Sequence, residues 1–179
     1  VKEAMNVNHP MIIDYAAKGL RSDFMDIYLG AKCTFCISNS TGFDAVPYIF
    51  RRPIVYVDNV VLESVDSYSV NFISTFKKHW LRNENRFMTF SELFSPVFAS
   101  LKAAGYKRMG IELQESTPEE IAAVVLEMEE RLDGTWVTTE ADEELQRRFW
   151  ELLPKSDLHG EIRSRFGADF LRRHQDWLN

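Results

Sequence analysis

Cysteine is scarce in this chain: there are two among 179 residues, both in the stretch Cys33-Thr34-Phe35-Cys36. A disulfide framework is excluded, and the count fits a reducing compartment. Long apolar runs are missing as well, none approaching the roughly 20 residues that span a bilayer. The opening VKEAMNVNHP lacks the basic and then apolar order of a signal peptide. Together these absences predict a cytoplasmic protein with no transmembrane segment. Positive charge is in deficit, with a formal net charge of −6. That argues against nucleic acid as a partner, because phosphate contacts need a basic face. The P-loop lysine and the dinucleotide glycine fingerprint are both missing, which makes a kinase and a dehydrogenase poor readings. No DxD-type acidic metal motif stands out, so no metal or other cofactor is expected.

What is present is core-forming material. Hydrophobic residues make up 45% of the chain, enough for one domain over residues 1–179 with a sizeable interior. Between Met11 and Asp58 short apolar runs alternate with amphipathic ones, the pattern of a parallel α/β sheet with crossover helices. MIIDYA (Met11 to Ala16) reads as a strand. Ser22 caps a helix that places Phe24, Ile27, Tyr28 and Ala31 on one face and ends near Gly30. CTFCIS (Cys33 to Ser38) reads as a buried strand, followed by the turn Asn39 to Gly42, a short helix through Phe50, and the strand IVYVD ending at Asp58. Further along, VNFISTF and MGIELQ read as strands. Thr89 to Glu92 forms a helix-capping box, and SPVFASLKAAG reads as a helix stopped by Gly105. The strongest helix start is Thr117-Pro118-Glu119-Glu120, with Gly134 at the far end. ADEELQRRFWELL and FGADFLRRHQDWL complete the chain as helices, with Phe149 and Trp150 in the core.

The segment CTFCISNSTGFD offers two kinds of chemistry. A CxxC pair works in redox chemistry when its first thiol sits at a helix N-terminus. In a strand, residues three apart face opposite sides, so Cys33 and Cys36 are expected to be small buried core residues. The second half, Ser38-Asn39-Ser40-Thr41-Gly42, follows a strand and precedes a helix. In a parallel sheet this puts hydroxyls and backbone N–H groups at the C-terminal edge, where α/β folds bind ligands, and a phosphate is the natural occupant. The same residues also make ordinary turns. Arg21 is a second candidate phosphate contact, or else a surface arginine pairing Asp23 or Asp26. Asp44 can accept a sugar or ribose hydroxyl, or simply favour its helix N-terminus. Lys77, Lys78 and His79 can reach a phosphate or an acidic acceptor, with Trp80 beside them to stack on a ring. Alternatively they form a solvated element end. Glu119 and Glu120 read as capping residues, and Arg51 and Arg52 as dipole-complementing residues at a helix end.

The run DYAAKGLRSDFMDIYLGAKCTFCISNSTGFDAVPYIFRRPIVYVDN resembles a family of bacterial glycosyltransferases found with surface-polysaccharide genes. The likeness continues through STFKKHW, RFMTFSELF, GIELQESTPEEIAAVVLEMEERLDGTW, LQRRFW and GADFLRRHQDWL. The resemblance implies a Rossmann-like domain of GT-B type, corresponding to the C-terminal, donor-binding half of a longer protein. It implies a nucleotide sugar as donor and a glycan or glycoconjugate as acceptor. The loop Ser40-Thr41-Gly42 is similar to the donor-diphosphate loop of heptosyltransferases, another GT-B group. A chain holding only this half is expected to bind donor without turning it over. The alternative from another class is a noncatalytic module that senses nucleotide sugars or docks a partner.

Overall fold

A computed structural model describes residues 4–60, 66–99, 103–154 and 160–179. Four parallel strands form the main sheet in the order β1 (Cys36–Ser38), β2 (Ile54–Asn59), β3 (Phe72–Phe76) and β7 (Arg165–Phe166). A second, antiparallel sheet has β4 (Lys78–Leu81) at its centre, flanked by β5 (Arg86–Phe87) and β6 (Ile111–Gln114). The helices are α1 (Asp23–Lys32), α2 (Ala45–Ile49), α3 (Phe90–Leu93), α4 (Pro96–Ala99), α5 (Ala103–Arg108), α6 (Pro118–Asp133), α7 (Glu140–Leu152) and α8 (Ala168–Arg173). The chain is therefore α/β, with a parallel four-stranded sheet flanked by helices, an arrangement compatible with a Rossmann-like fold. No described helix is long and apolar enough to cross a membrane.

β2 and β3 are the centre of the sheet, and nearly every residue in them is buried. A strand covered on both faces needs a continuous apolar run instead of alternation, which is what IVYV and FISTF supply. On one face Val55, Val57 and Ile73 pack against Val124 and Met128 of α6. On the other, Ile54, Tyr56 and Phe72 form a separate cluster, with Tyr48 of α2 stacked on Phe72 at 5.9 Å between ring centroids. β7 closes the far side as a two-residue strand. Gln146 of α7 takes the place of a further neighbour there: its amide donates to the Phe166 carbonyl at 2.6 Å and accepts from the Phe166 N–H at 3.0 Å. An otherwise unpaired strand edge is thus satisfied and covered. Phe166 also belongs to the aromatic core, 4.2 Å from the Phe149 ring and 4.6 Å from Phe76.

The helices begin where short-range chemistry sets them. Ser22 Oγ accepts from Met25 N–H, and Thr89, Thr117 and Thr139 each form a reciprocal capping box. Gly134 ends α6 in the left-handed conformation that a side chain disfavours.

Several expectations are corrected. Met11 to Ala16 is a series of turns, not a strand. The Asp14 carboxylate accepts from Met5 N–H and Ala17 N–H, drawing the backbone into local bonds, and no strand among the described residues pairs with it. CTFCIS yields a strand over Cys36–Ser38 alone, because Cys33 caps α1. At the sheet edge this strand is partly exposed, and both cysteines are only partly buried. Gly30 does not end α1 but lies inside it, where a Cβ would meet Val46 Cγ1 at 2.7 Å, so its lack of a side chain lets α1 and α2 approach. The apolar face of α1 is not covered: Phe24 is 72% exposed. Gly105 falls within α5, and residues 100–102 of the expected helix lie outside the described residues. The terminal helix breaks at His174 into a 3-10 turn over Gln175–Leu178.

Replacing Phe166 with Ala removes an aromatic ring from the centre of the core and is expected to lower unfolding free energy by about 3–5 kcal/mol. Urea denaturation measures this, and a loss below about 1 kcal/mol would contradict the packing described.

Candidate functional site

The parallel strands end on a common polar edge. β1 delivers Ser38 directly into the bend Asn39 to Gly42, and β2 delivers Asp58 and Asn59. Ser38 pairs with Tyr56 in register, so Ser40 and Asp58 lie two residues further along adjacent strands. Both adopt left-handed backbone, with φ of 60° and 56° respectively. Such conformations are costly for side-chain-bearing residues and persist where surrounding bonds enforce them.

Those bonds are present. Ser40 Oγ donates to Asn59 Oδ1 at 2.9 Å, and Ser40 N–H donates to Ser38 Oγ at 3.1 Å. Asp58 Oδ1 accepts from Ser116 N–H at 3.0 Å and from Ser116 Oγ at 2.7 Å. A register irregularity between Tyr56 and Asn59 in the pairing with β3 accompanies the turn at Asp58, re-aiming its carboxylate toward the lead-in to α6 as bulges do. Asn59 carbonyl accepts from Lys77 N–H at 3.0 Å, linking the ends of β2 and β3. The loop is thereby fixed on rigid elements, while Asn39 and Thr41 side chains are exposed and make no hydrogen bond among the described residues.

Asp44 lies at the N-cap of α2 without capping it through its side chain. Its Oδ1 accepts from Gly42 N–H at 2.9 Å. The Gly42 N–H is thus already satisfied by a carboxylate, which any anion approaching that amide would have to displace. The dipole of α2, a helix of five residues, adds little on its own.

Next to Gly42, Phe43 lines a cavity of about 400 Å³ together with Tyr15, Arg21, Phe35, Cys33 and Cys36. Arg21 sits at this cavity as an ion pair with Asp26, 3.2 Å apart, with its side chain 66% exposed. The surface-pair reading of Arg21 therefore holds in this state, with Asp26 as the partner. Such an exposed pair binds weakly enough for the guanidinium to change partners. Burial pushes the Cys36 thiol up to about 11 and raises Cys33 as well, so both are neutral thiols lining an apolar wall.

Lys78 and His79 are not part of the open edge. They belong to β4, whose pairing with β6 aligns Lys78 with Gln114 and His79 with Leu113. The Lys78 ammonium is enclosed with the Glu120 carboxylate at 2.8 Å, and Glu120 also accepts from Thr117 N–H. Glu120 thus caps α6 as expected and neutralises a buried lysine as well. His79 is 1% exposed. Its Nδ1 lies 2.8 Å from the Lys77 carbonyl, which can only accept, so Nδ1 carries the proton and Nε2 is left without a partner among the described residues. Lys77 alone of the three remains at the edge, paired with exposed Glu115 at 3.1 Å.

Ser38, Asn39, Ser40, Thr41, Gly42 and Asp44 are thus brought together, with Lys77 joined to them through Asn59. Arg21 adjoins the loop across the cavity. Asp58 and Asn59 were not anticipated. The signal was the abrupt polar ending of an apolar strand, VYVDN, beside a second strand ending SNS.

No family model, curated protein or solved structure matches the chain.

Two measurements follow from this geometry. Burial lowers His79 to about 4 from an unfolded value near 6.5. Below pH ~6.5 the unfolded chain takes up a proton that the folded chain resists until about pH 4, so this contribution is complete above that window and lost as pH falls through it. Unfolding free energy is expected to drop by on the order of 3 kcal/mol across it, with His79→Gln flattening the decline. His174, also lowered by burial, adds a remaining slope of the same sign. An unchanged slope in His79→Gln would contradict the buried neutral imidazole. Separately, Asp58→Ala removes both Ser116 bonds and is expected to cost about 2 kcal/mol. Asp58→Asn keeps an acceptor and should cost less than half as much by urea denaturation.

Proposed function

We propose that this chain binds the donor of a nucleotide-sugar-dependent glycosyltransferase, in a domain of the Rossmann-like GT-B type that the sequence resembles. The observation that carries the reading is the loop Ser38 to Gly42, fixed at the C-terminal edge of the parallel sheet by the Ser40–Asn59 bond, beside a cavity with Arg21 at its wall. The proposed donor-diphosphate contacts are Arg21, Ser38, Asn39, Ser40, Thr41 and Gly42.

In this reading the diphosphate meets the loop N–H and hydroxyl groups and displaces the Asp44 carboxylate from Gly42. Arg21 leaves Asp26 for the phosphate, exchanging an exposed ion pair for a charge-assisted contact with the donor. Asp44 then becomes available to a ribose or sugar hydroxyl, and Lys77 supplies positive charge from the end of β3. Transfer forms a bond from the acceptor hydroxyl oxygen to the sugar anomeric carbon, passes the hydroxyl proton to a base, and breaks the bond from that carbon to the diphosphate oxygen, leaving negative charge on the departing nucleoside diphosphate. Donors already in place at that oxygen favour the transition state over the ground state. The acceptor's base would come from the second domain that the resemblance implies. Lys78 and His79, enclosed by β6 and α6, take no part in contact with the donor.

A panel of nucleoside diphosphates and nucleotide sugars, read by ligand-observed NMR, tests the assignment. Ser40→Ala/Thr41→Ala and Arg21→Ala are each expected to weaken binding by about 1.5–3 kcal/mol, roughly 10- to 100-fold. Because Arg21 is exposed, its replacement should leave the unfolding midpoint within the error of the parent. Affinity unchanged in both variants would overturn the assignment.

A further inference from the structure

The opposite edge of the sheet holds a second cavity, of about 700 Å³. Its lining comes from the segments that lead into three adjacent parallel strands: Arg51 and Arg52 before β2, Tyr68 to Asn71 before β3, and Arg163 before β7. Tyr48 of α2 completes one wall. The floor is aromatic, with Tyr48 stacked on Phe72 and Tyr68 set edge-on to both at 5.9–6.0 Å.

Arg51 is in an unusual place. Arg52 N–H donates to the Pro47 carbonyl at 2.8 Å and Arg51 N–H to the Tyr48 carbonyl at 2.9 Å. This is the double bond pattern with which a helix is closed by a left-handed residue, a position normally given to glycine. Here that residue is Arg51, at φ 56°. A side chain at such a position costs stability that glycine avoids. The Arg51 side chain makes no ion pair or hydrogen bond among the described residues. Its two arginine neighbours are engaged: Arg52 Nε donates to the Ala31 carbonyl at 2.6 Å, and Arg163 pairs with Glu161. Arg163 N–H and Ser164 N–H both donate to the Ser67 carbonyl, holding the lead-ins to β3 and β7 together and giving the cavity a fixed wall. The Asn71 side chain also makes no hydrogen bond among the described residues.

We propose that this cavity is a second binding site, separate from the donor edge, for a small anion carried on a ring, such as a carboxylated or phosphorylated sugar. Arg51 is its principal charge contact. The guanidinium and the Asn71 amide are donors matched to an oxyanion. Tyr48 and Tyr68 are both partly exposed and offer aromatic surface suited to a ring that is apolar on one side. The site rests on the N-terminal edge alone and does not depend on what binds at the loop Ser38 to Gly42.

The test titrates glucuronate, glucose 6-phosphate and uncharged glucose separately into the full chain, followed by backbone amide NMR, for the parent and Arg51→Gly. At least one anion should give saturable shifts in Tyr48 to Arg52 and Tyr68 to Phe72, with glucose giving none. The anion that binds identifies the headgroup. Arg51→Gly should weaken that binding at least about tenfold, as expected for loss of one charged contact. Its melting temperature should meanwhile rise by a few degrees, on the order expected when about 1 kcal/mol is recovered in a chain of this size. That opposite movement separates loss of a ligand contact from loss of fold. No saturable shift with either anion, equal shifts with glucose, or full affinity in Arg51→Gly would overturn the proposal.

Discussion

The parallel pairing of Ile54–Asn59 with Phe72–Phe76 is the constraint on which the rest of the structure depends. Both strands are buried on both faces, so each face must be covered and the covering elements are fixed in place. α6 answers one face through Val124 and Met128, and Tyr48 and Phe72 build up the other. Backbone polar groups and charged side chains can then emerge only where the strands begin and end. The sheet therefore concentrates polar groups at its two edges, and at those edges the chain departs from relaxed geometry.

The left-handed residues follow this division. Among the described non-glycine residues, Ser40, Arg51, Asp58 and Asn85 have positive φ. Asn85 lies in the turn between β4 and β5, where asparagine is well suited. The other three stand at the ends of the parallel strands. Ser40 and Asp58 are held by side-chain bonds to Asn59 and Ser116, which compensate for the conformation and fix the loop. The Arg51 side chain makes no such bond among the described residues. The left-handed backbone of Arg51 is held instead by the two bonds that close α2, from Arg51 N–H to the Tyr48 carbonyl and from Arg52 N–H to the Pro47 carbonyl.

How much of this could be read in the sequence depended on how local the cause was. The caps at Ser22, Thr89 and Thr117 and the stop at Gly134 involve residues within one turn of each other, and the structure has them where the residue pattern placed them. The strands at β2 and β3 were legible because doubly buried strands need unbroken apolar runs. The same reasoning failed at Met11 to Ala16, where an apolar run has no partner strand among the described residues and Asp14 captures the backbone instead. Lys78 and His79 read either as phosphate or acceptor contacts or as a solvated element end, and both readings miss their burial, which comes from β6, more than thirty residues later, and from Glu120 on α6. The SNSTG loop was visible as a motif, but its attachment to Asn59 and the competition from Asp44 were not. Both depend on the register between β1 and β2 and on the path of the turn.

The proposed occupant of the C-terminal edge of the sheet, at the loop Ser38 to Gly42, is a diphosphate. Backbone amide NMR of the full chain during titration with a nucleoside diphosphate tests it most directly. Saturable shifts are expected, centred on Asn39 to Asp44 and extending to Asn59 and Lys77, with little change in Met128 or Phe149. A nucleoside diphosphate panel that leaves those amides unmoved, or moves only residues at the opposite edge, would contradict it.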